Sequence, residues 1–269
     1  MSDIYRGHMR RSGSPNRHTR AVLVGSAALV LLTMSLPVAQ AAPAASVTPD
    51  QLAHVGNAGQ VIIVTAASWR STKGTLRTFE RDGNGGWREV VTATPAWLGF
   101  GGLVPGAQRK QGTGTTPAGT YAITSAFGRL ANPGTSLPYR QFDSNDSWTY
   151  DPNHPFTYNV FQTAAIDWRS YGGYAEHLWA KGPQYRYVAV LDFNLPKGNI
   201  SRGPDGIRRT TQPPNIKAGG GIFLHVSKGK PTAGCISVPL ATMRGILTWL
   251  KPARHPVIVI GPESAISSL

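Results

Sequence analysis

Cysteine is nearly absent from this sequence, with Cys235 standing alone among 269 residues. A single cysteine excludes the internal disulfide framework on which many small exported domains depend. Two interpretations remain open, because a lone cysteine is either an inert, buried side chain or a reactive thiol. The residues around Cys235 therefore have to decide between them.

Acidic residues are also scarce. The chain has 13 Asp and Glu residues against 27 Lys and Arg residues, which gives a formal net charge of +14. A basic protein of this kind is attracted to polyanions. Its basic residues are scattered, with no dense run and no known reader motif, so we do not expect nucleic acid as a partner.

Signatures of metal and cofactor binding are missing as well. No spaced Cys/His cluster is present, and the glycine-rich stretch 112–119 lacks the ending of a phosphate-binding loop. Glu176, His177 and Asp192 are the alternative metal ligands. Neighbours on an extended chain point to opposite faces, so Glu176 and His177 are poorly arranged to share an ion. We expect no metal and no cofactor.

The sequence has no apolar run long enough to span a membrane comfortably. The longest apolar run, residues 21–36, follows five arginines and precedes Ala39-Gln40-Ala41. A basic region, a short apolar region and a small-x-small site predict a signal peptide over residues 1–41. The Arg10-Arg11 pair is compatible with export by the twin-arginine route. The apolar run begins so far downstream of it that we favour the general secretory route.

Removal of residues 1–41 would leave 22 basic and 12 acidic residues (27 − 5 and 13 − 1), a net charge of about +10. The remaining chain would be secreted and would have no transmembrane segment. Residues 42–58 are rich in Ala, Pro, Ser and Thr and are interpreted as a linker. Residues 59–269 have a length that suits one domain, and we expect the protein to be a monomer.

Short apolar runs separated by glycine and proline predict a mainly β domain, either a sandwich or a partial barrel. The predicted strands are residues 61–65, 74–80, 87–91, 120–124, 187–191, 221–226 and 257–260. The turn at residues 82–86 predicts a hairpin. Helical spacing of apolar residues predicts one clear helix over 239–250.

Two long segments lack clear periodicity. Residues 131–184 are either a functional insertion or a set of short strands, and residues 194–219 are interpreted as a mobile loop. The first segment contains six aromatic residues that fit either a ligand groove or simple packing: Trp148, Tyr150, Tyr158, Trp168, Tyr171 and Trp179.

The segment with most chemical information joins a histidine to the cysteine. His225 ends a predicted strand, and Cys235 follows ten residues later (235 − 225) after a loop with Gly229 and Pro231. Such a loop can fold back so that the two side chains meet. An imidazole beside a thiol lowers the pKa of the thiol and later protonates a leaving amine.

Backbone groups near Cys235 add to this hypothesis. Gly234 leaves the chain free to direct its N–H groups, and the amides of Gly234 and Cys235 are candidates for binding an oxyanion. We also expect Cys235 to lie at the start of the helix, where the partial positive charge favours a thiolate.

The same segment resembles the catalytic signature of the L,D-transpeptidases, which cross-link peptidoglycan through a cysteine. Thr232-Ala233-Gly234-Cys235 is similar to the Ser/Thr-x-Gly-Cys box of that family, and Thr116-Pro117-Ala118-Gly119 resembles its upstream turn. The resemblance extends over residues 60–262. It implies a secreted cell-wall enzyme that acts on peptidoglycan stem peptides in wall biogenesis and cell shape, and whose positive charge meets anionic wall polymers.

The resemblance also implies individual roles. Cys235 would be the nucleophile and His225 the base, with the backbone carbonyl of Val226 accepting the second N–H of the imidazole. Thr232 and Gly234 would support the loop and the oxyanion. Two family residues are replaced: Ala233 stands where a second histidine is usual, and Ser237 where an arginine commonly follows.

These replacements keep several alternatives open. An L,D-carboxypeptidase or other hydrolase would use water in place of the acceptor amine. A sortase-like transpeptidase would need a later arginine, and Arg244 follows Cys235, but on the predicted helix. A non-catalytic, basic wall-binding protein is the third alternative, supported by the missing second histidine.

Overall fold

The computed structural model describes residues 47–163 and 167–269. The predicted signal peptide, residues 1–41, and the first part of the predicted linker lie outside the described residues. The second part of that linker packs against the domain, because Leu52 and Ala58 are buried in one apolar cluster with strand residues. The predicted domain boundary at residue 59 stays a prediction.

The described chain is mostly β, as the sequence predicted. The strands are β1 (Gln60–Ala66), β2 (Lys73–Arg81), β3 (Trp87–Trp97), β4 (Leu103–Pro105), β5 (Thr116–Gly128), β6 (Tyr139–Gln141), β7 (Ser147–Thr149), β8 (Val160–Gln162), β9 (Ala175–His177), β10 (Val188–Leu191), β11 (Ile200–Arg202), β12 (Arg208–Thr210), β13 (Phe223–Val226), β14 (Ile236–Val238) and β15 (Val257–Pro262). The helix α1 is Leu240–Trp249.

Short 3₁₀ segments join these elements. They are Pro49–Gln51, Gly106–Gln108, Pro155–Thr157, Trp168–Tyr174, Leu178–Tyr185, Pro252–Arg254 and Ile266–Ser268. Within the described residues, no helix combines the length and the apolar character required to cross a lipid bilayer.

The large sheet has the strand order β10-β13-β14-β3-β2-β1-β15-β5-β4. Strand β10 also pairs with β5, so the pairing returns on itself and the sheet is barrel-like. The link between β14 and β3 is the thinnest in this circuit, with one residue pair, Ser237 and Trp97. Two small sheets, β11-β12 and β8-β7-β9, lie outside it.

The predicted strands and the β2–β3 hairpin are all found. The β-branched run Val61–Val64 is buried on both faces and pairs in parallel with β15, which explains why its apolar residues are continuous rather than alternating with polar ones. The helix begins one residue later than predicted, with Pro239 before its first turn. Its apolar side chains Met243, Ile246 and Leu247 join the central core.

The structure decides the two segments that lacked clear periodicity in the sequence. Residues 131–184 form short strands, β6 to β9, with 3₁₀ turns between them. The mobile loop predicted over 194–219 is wrong in its middle part, where β11 and β12 pair as an antiparallel hairpin. The turn of this hairpin is closed by Asp205, which accepts hydrogen bonds from Ile207 and Arg209.

Candidate active site

Strands β13 and β14 bring the predicted site residues onto one face of the sheet. The strands are parallel, and His225 is opposite Ser237. Side chains alternate between faces along a strand. Leu224 and Ile236 belong to the central core, whereas Phe223 and Cys235 belong to a second apolar cluster. His225 is two residues after Phe223, and its side chain therefore points to the same face as Cys235.

His225 is a buried, oriented imidazole. Its Nδ1 lies 2.9 Å from the carbonyl oxygen of Val226, the contact expected from the family resemblance. Because that carbonyl can only accept, Nδ1 carries the proton and Nε2 is left as the acceptor. The ring of Tyr185 packs edge-on against the imidazole at 5.4 Å between centroids. Burial, with a smaller contribution from Lys228, lowers the pKa of His225 to about 4, although the hydrogen bond to Val226 acts to raise it.

Cys235 is a buried thiol whose pKa is shifted upward, whereas that of His225 is shifted downward. Its side chain is 8% exposed, and Sγ donates a hydrogen bond to the carbonyl of Gly221 at 3.2 Å. Burial, together with the nearby Glu176 carboxylate, raises the pKa of the Cys235 thiol to about 12. A backbone hydrogen bond from Phe223 opposes that rise, as do the charges of Arg109 and Lys181. The thiol and the imidazole are therefore both neutral at pH 7.

This state corrects two expectations. The sequence predicted a thiol with a lowered pKa, but burial and Glu176 act in the other direction. It also placed Cys235 at the start of the helix. Strand β14 and Pro239 separate Cys235 from α1, so the helix N-terminus does not reach the sulfur. No hydrogen bond between Sγ and His225 is found among the described residues.

Thr232 organises the loop around Gly234. Its Oγ1 donates to the Cys235 carbonyl at 2.6 Å and accepts from the Gly234 N–H at 3.1 Å. Gly234 has φ of +136°, in the region that favours glycine. Since the Gly234 N–H already has an acceptor, it is less suited to an oxyanion than expected. The Cys235 N–H has no acceptor within the described part of the chain and is the better candidate.

Two cavities meet at Cys235. The larger, of about 720 Å³, is lined by Arg109, Tyr150 and the Gly219–Gly221 backbone, among others. The smaller, of about 210 Å³, is lined by His225, Ser237 and three lysines, among others. Three residues line both cavities: Glu176, Ala233 and Cys235. The thiol is therefore reachable from two sides although it is largely buried.

Glu176 is a site residue that sequence reasoning did not assign. The sequence treated it with His177 as an alternative metal pair. In the structure its carboxylate accepts a hydrogen bond from the Tyr185 hydroxyl at 2.5 Å and lies 3.9 Å from Lys181 Nζ. His177 stacks instead on Trp168, with ring centroids 4.1 Å apart. The two residues diverge, as the argument from strand alternation predicted.

Arg109 is the second residue that the sequence did not single out. Its guanidinium donates from Nη1 to the Ala218 carbonyl at 2.7 Å and from Nε to the Thr115 carbonyl at 3.2 Å. These acceptors are neutral, so the charge is not cancelled by them. Burial lowers the pKa of Arg109, and Cys235 is among the groups that act to raise it. The arginine thus presents positive charge to the larger cavity.

The remaining candidates separate into packing and site residues. Trp148 and Tyr158 are buried, whereas Tyr150 lines the larger cavity. Arg244, the residue that a sortase-like mechanism would need, is exposed on α1 and lines neither cavity. This observation weakens the sortase alternative.

The structure is a β domain with a histidine on one strand and a cysteine directly before the neighbouring strand. A family model for the L,D-transpeptidase catalytic domain (YkuD) matches residues 61–259. The match covers well over half of the chain, and the chain belongs to that family. Its members are transferases that modify peptidoglycan and act on the cell wall. No curated protein matches the sequence significantly.

Proposed function

We propose that this protein is an exported cysteine transpeptidase that cross-links or remodels peptidoglycan through its stem peptides. One observation carries the proposal: the Cys235 thiol lies where two cavities meet, and His225 lines the smaller of them. Membership in the L,D-transpeptidase family supplies peptidoglycan as the substrate. No metal or cofactor takes part in the proposed reaction.

The proton on sulfur needs an acceptor during the attack. Because the thiol pKa is about 12 and the imidazole pKa about 4, a thiolate is not stored beforehand. His225 Nε2 takes the proton while Sγ forms a bond to the peptide carbonyl carbon. The carbonyl oxygen becomes an oxyanion beside the Cys235 N–H. Collapse breaks the C–N bond, and the proton passes from His225 to the leaving amine.

The position of His225 assigns a role to each cavity. His225 lines the smaller cavity and not the larger one. The leaving amine must meet the imidazole, so it departs through the smaller cavity, and the acceptor amine takes its place there. The larger cavity then holds the acyl part of the donor stem, which needs the greater volume.

Charged and polar groups suit these roles. Lys181, Lys228 and Lys230 line the smaller cavity, where they favour the carboxylate of a departing amino acid. The hydroxyl of Ser237 lines it too, and this buried oxygen has no hydrogen-bond partner among the described residues. Arg109 offers positive charge to the carboxylates of the donor stem in the larger cavity.

Incubation of the chain lacking residues 1–41 with tetrapeptide stems tests the proposal. We expect cross-linked products in which the terminal residue of one stem has been lost. Cys235→Ala should abolish them, with a loss of at least about 10³-fold, and His225→Gln should slow them roughly 10²- to 10⁴-fold. His54→Gln, at an exposed histidine, is the matched control and should be unaffected.

The product distribution separates the alternatives. Stems that are trimmed but never joined would indicate an L,D-carboxypeptidase in which water replaces the acceptor amine. Full activity of Cys235→Ala would refute the cysteine mechanism. Loss of binding to anionic wall polymers in that variant is not expected, because the net charge is unchanged.

Export is the second part of the proposal. The basic and apolar pattern of residues 1–41 supports secretion with cleavage after Ala41. The measurement is the N-terminal residue of the protein recovered from the cell exterior, which should be Ala42. Recovery of the full chain in the cytoplasm would contradict it.

A further inference from the structure

A third cavity lies apart from the candidate active site. Its volume is about 340 Å³, and it shares no lining residue with either cavity at Cys235. Strands β5, β8 and β10 form its sides, and the β11–β12 hairpin contributes Ile200 and Arg208. This volume lies in the range of pockets that bind small molecules.

Aromatic rings form one wall of this cavity. Phe127 and Trp148 are stacked with centroids 6.1 Å apart, and Phe161 meets Phe127 edge-on at 5.8 Å. The indole N–H of Trp148 donates to Asn159 Oδ1 at 2.7 Å, so this polar group is satisfied within the protein. Val190 and Leu195 add aliphatic surface. The wall therefore suits an apolar group rather than ordered water.

Positive charge lies beside this apolar wall. Arg140 and Arg208 line the cavity, and Arg202 is on the strand paired with that of Arg208. Arg140 is neutralised by the buried Asp146, with two contacts of 3.2 Å. Arg208 Nη1 donates only to the neutral carbonyl of Phe161 at 2.9 Å, and Arg202 donates to the neutral hydroxyl of Thr163.

The arginines of this cluster lie close enough to repel one another. Burial lowers the pKa of Arg208, and the neighbouring charges of Arg140 and Arg202 lower it further, whereas the Asp146 carboxylate acts to raise it. Within the described residues, no carboxylate pairs with Arg202 or Arg208, and no acidic side chain lines the cavity. An anion placed at its mouth would relieve this repulsion.

We propose that this cavity binds an amphiphilic anion, a molecule with an aliphatic tail and a carboxylate or phosphate head. The tail packs against Phe127, Trp148 and Phe161. The head pairs with Arg208, which offers planar N–H donors suited to such oxyanions. The ligand is recognised by this combination of apolar wall and arginine charge, and the site is independent of Cys235.

Calorimetric titration of the chain lacking residues 1–41 tests the site, with probes below their micelle concentrations. Decanoate and decyl phosphate should bind, and decyltrimethylammonium, which has the same tail but a positive head, should not. Binding of one anion only identifies the head group. Failure of both anions to bind would overturn the proposal.

Two variants locate the binding. Arg208→Gln should weaken both anions roughly tenfold, the loss of one charge-assisted pair. Ile200→Glu places negative charge at the exposed mouth of the cavity and should weaken them as well. The matched controls are Arg129→Gln and Leu130→Glu, which change an arginine and an exposed apolar residue that do not line the cavity. Near-ultraviolet circular dichroism verifies that each variant is folded.

Other occupants give distinct results. Equal binding of the cationic probe, or unchanged binding by Arg208→Gln and Ile200→Glu, would indicate unspecific apolar adsorption. Displacement of decanoate by a peptide of residues 21–36, independent of Arg208, would assign the cavity to this chain's own apolar segment. Cys235→Ala should bind the anions like the unchanged protein, so the result does not depend on the proposed enzymatic function.

Discussion

At the scale of single residues, the sequence pointed to two candidate site residues but not to their surroundings. A lone cysteine, a histidine ten residues before it and a Gly-Cys pair were sufficient to select Cys235 and His225. Glu176 and Arg109 were missed because their sequence distance from Cys235 gives no signal, and only the fold brings them to it. Burial raises the pKa of Cys235, Glu176 adds to that rise and Arg109 opposes it, whereas the sequence had predicted a lowered pKa.

The Glu176 carboxylate gives a direct test of this electrostatic environment. Glu176→Gln removes a negative charge that raises the pKa of Cys235, so more thiolate should exist at a given alkaline pH. We expect alkylation by iodoacetamide at pH 9 to become roughly three- to tenfold faster. The glutamine can still accept the Tyr185 hydroxyl.

Glu89→Gln is the matched control for that experiment, because it also removes a carboxylate from an ion pair, with Arg77. Its alkylation rate should equal that of the unchanged protein. A Glu176→Gln rate that is equal or slower would mean that the carboxylate does not act on the sulfur.

At the scale of elements, the long β-branched strands and α1 were predictable and the short strands were not. Strand β14 has three residues between Cys235 and Pro239, too few for a periodic pattern to be seen. Strands β11 and β12 are equally short and contain arginines, so their composition resembles that of a loop. Their strand conformation comes from pairing across a turn closed by Asp205, which periodicity does not report.

Asn159 connects elements that lie far apart in the sequence. It has φ of +59°, and its buried side chain accepts from Trp148 Nε1 at 2.7 Å and from the Gly221 N–H at 2.8 Å, while donating to the Asn194 carbonyl at 2.6 Å. Asparagine tolerates this backbone conformation better than most residues. The β7–β8 turn, the segment after β10 and the entry to β13 thus share one side chain.

We expect Asn159→Ala to lower the free energy of unfolding by about 2–4 kcal/mol, since it leaves several buried polar groups without their hydrogen-bond partner. Urea denaturation measures the change. Asn145→Ala, in an exposed turn where the side chain is not used, should change stability by less than about 0.5 kcal/mol. Equal effects of the two substitutions would show that the buried network contributes little.

At the scale of the whole molecule, the sequence predicted a mainly β domain but not the closure of its strand circuit. The β5–β10 and β14–β3 pairings join segments separated by 60 to 140 residues, and no local pattern encodes such partners. His225 lies on a strand of this circuit and is buried, with the ring of Tyr185 packed against it, and its burial links the proposed chemistry of the site to the stability of the fold.

The pH dependence of unfolding should report this link. The pKa of His225 is about 4 in the folded protein against a usual value of 6.5. Below pH 6.5 the His225 imidazole is protonated in the unfolded chain but not in the folded protein. The free energy of unfolding therefore falls as the pH falls from 6.5 toward 4. Above pH 6.5 both states are neutral and the effect vanishes.

Comparison with His225→Gln isolates this contribution from other titrating groups. Between pH 7 and pH 4.5 the unchanged protein should lose about 2 kcal/mol more unfolding free energy than His225→Gln, measured in urea. His54→Gln should lose as much as the unchanged protein. Identical losses in all three proteins would mean that the imidazole is not kept neutral by the fold.

The hydrogen bond from Cys235 Sγ to the Gly221 carbonyl has a consequence for the order of events in a turnover. While the sulfur donates to that oxygen, its proton is directed away from the imidazole, so the proton transfer that we propose to His225 cannot begin. A ligand that presents its own N–H to the same oxygen would displace the thiol and turn its proton toward His225. Cys235 would then lose its proton to His225 only when a peptide backbone is bound. A substrate methylated on that nitrogen would enter the cleft without breaking the hydrogen bond between Sγ and Gly221.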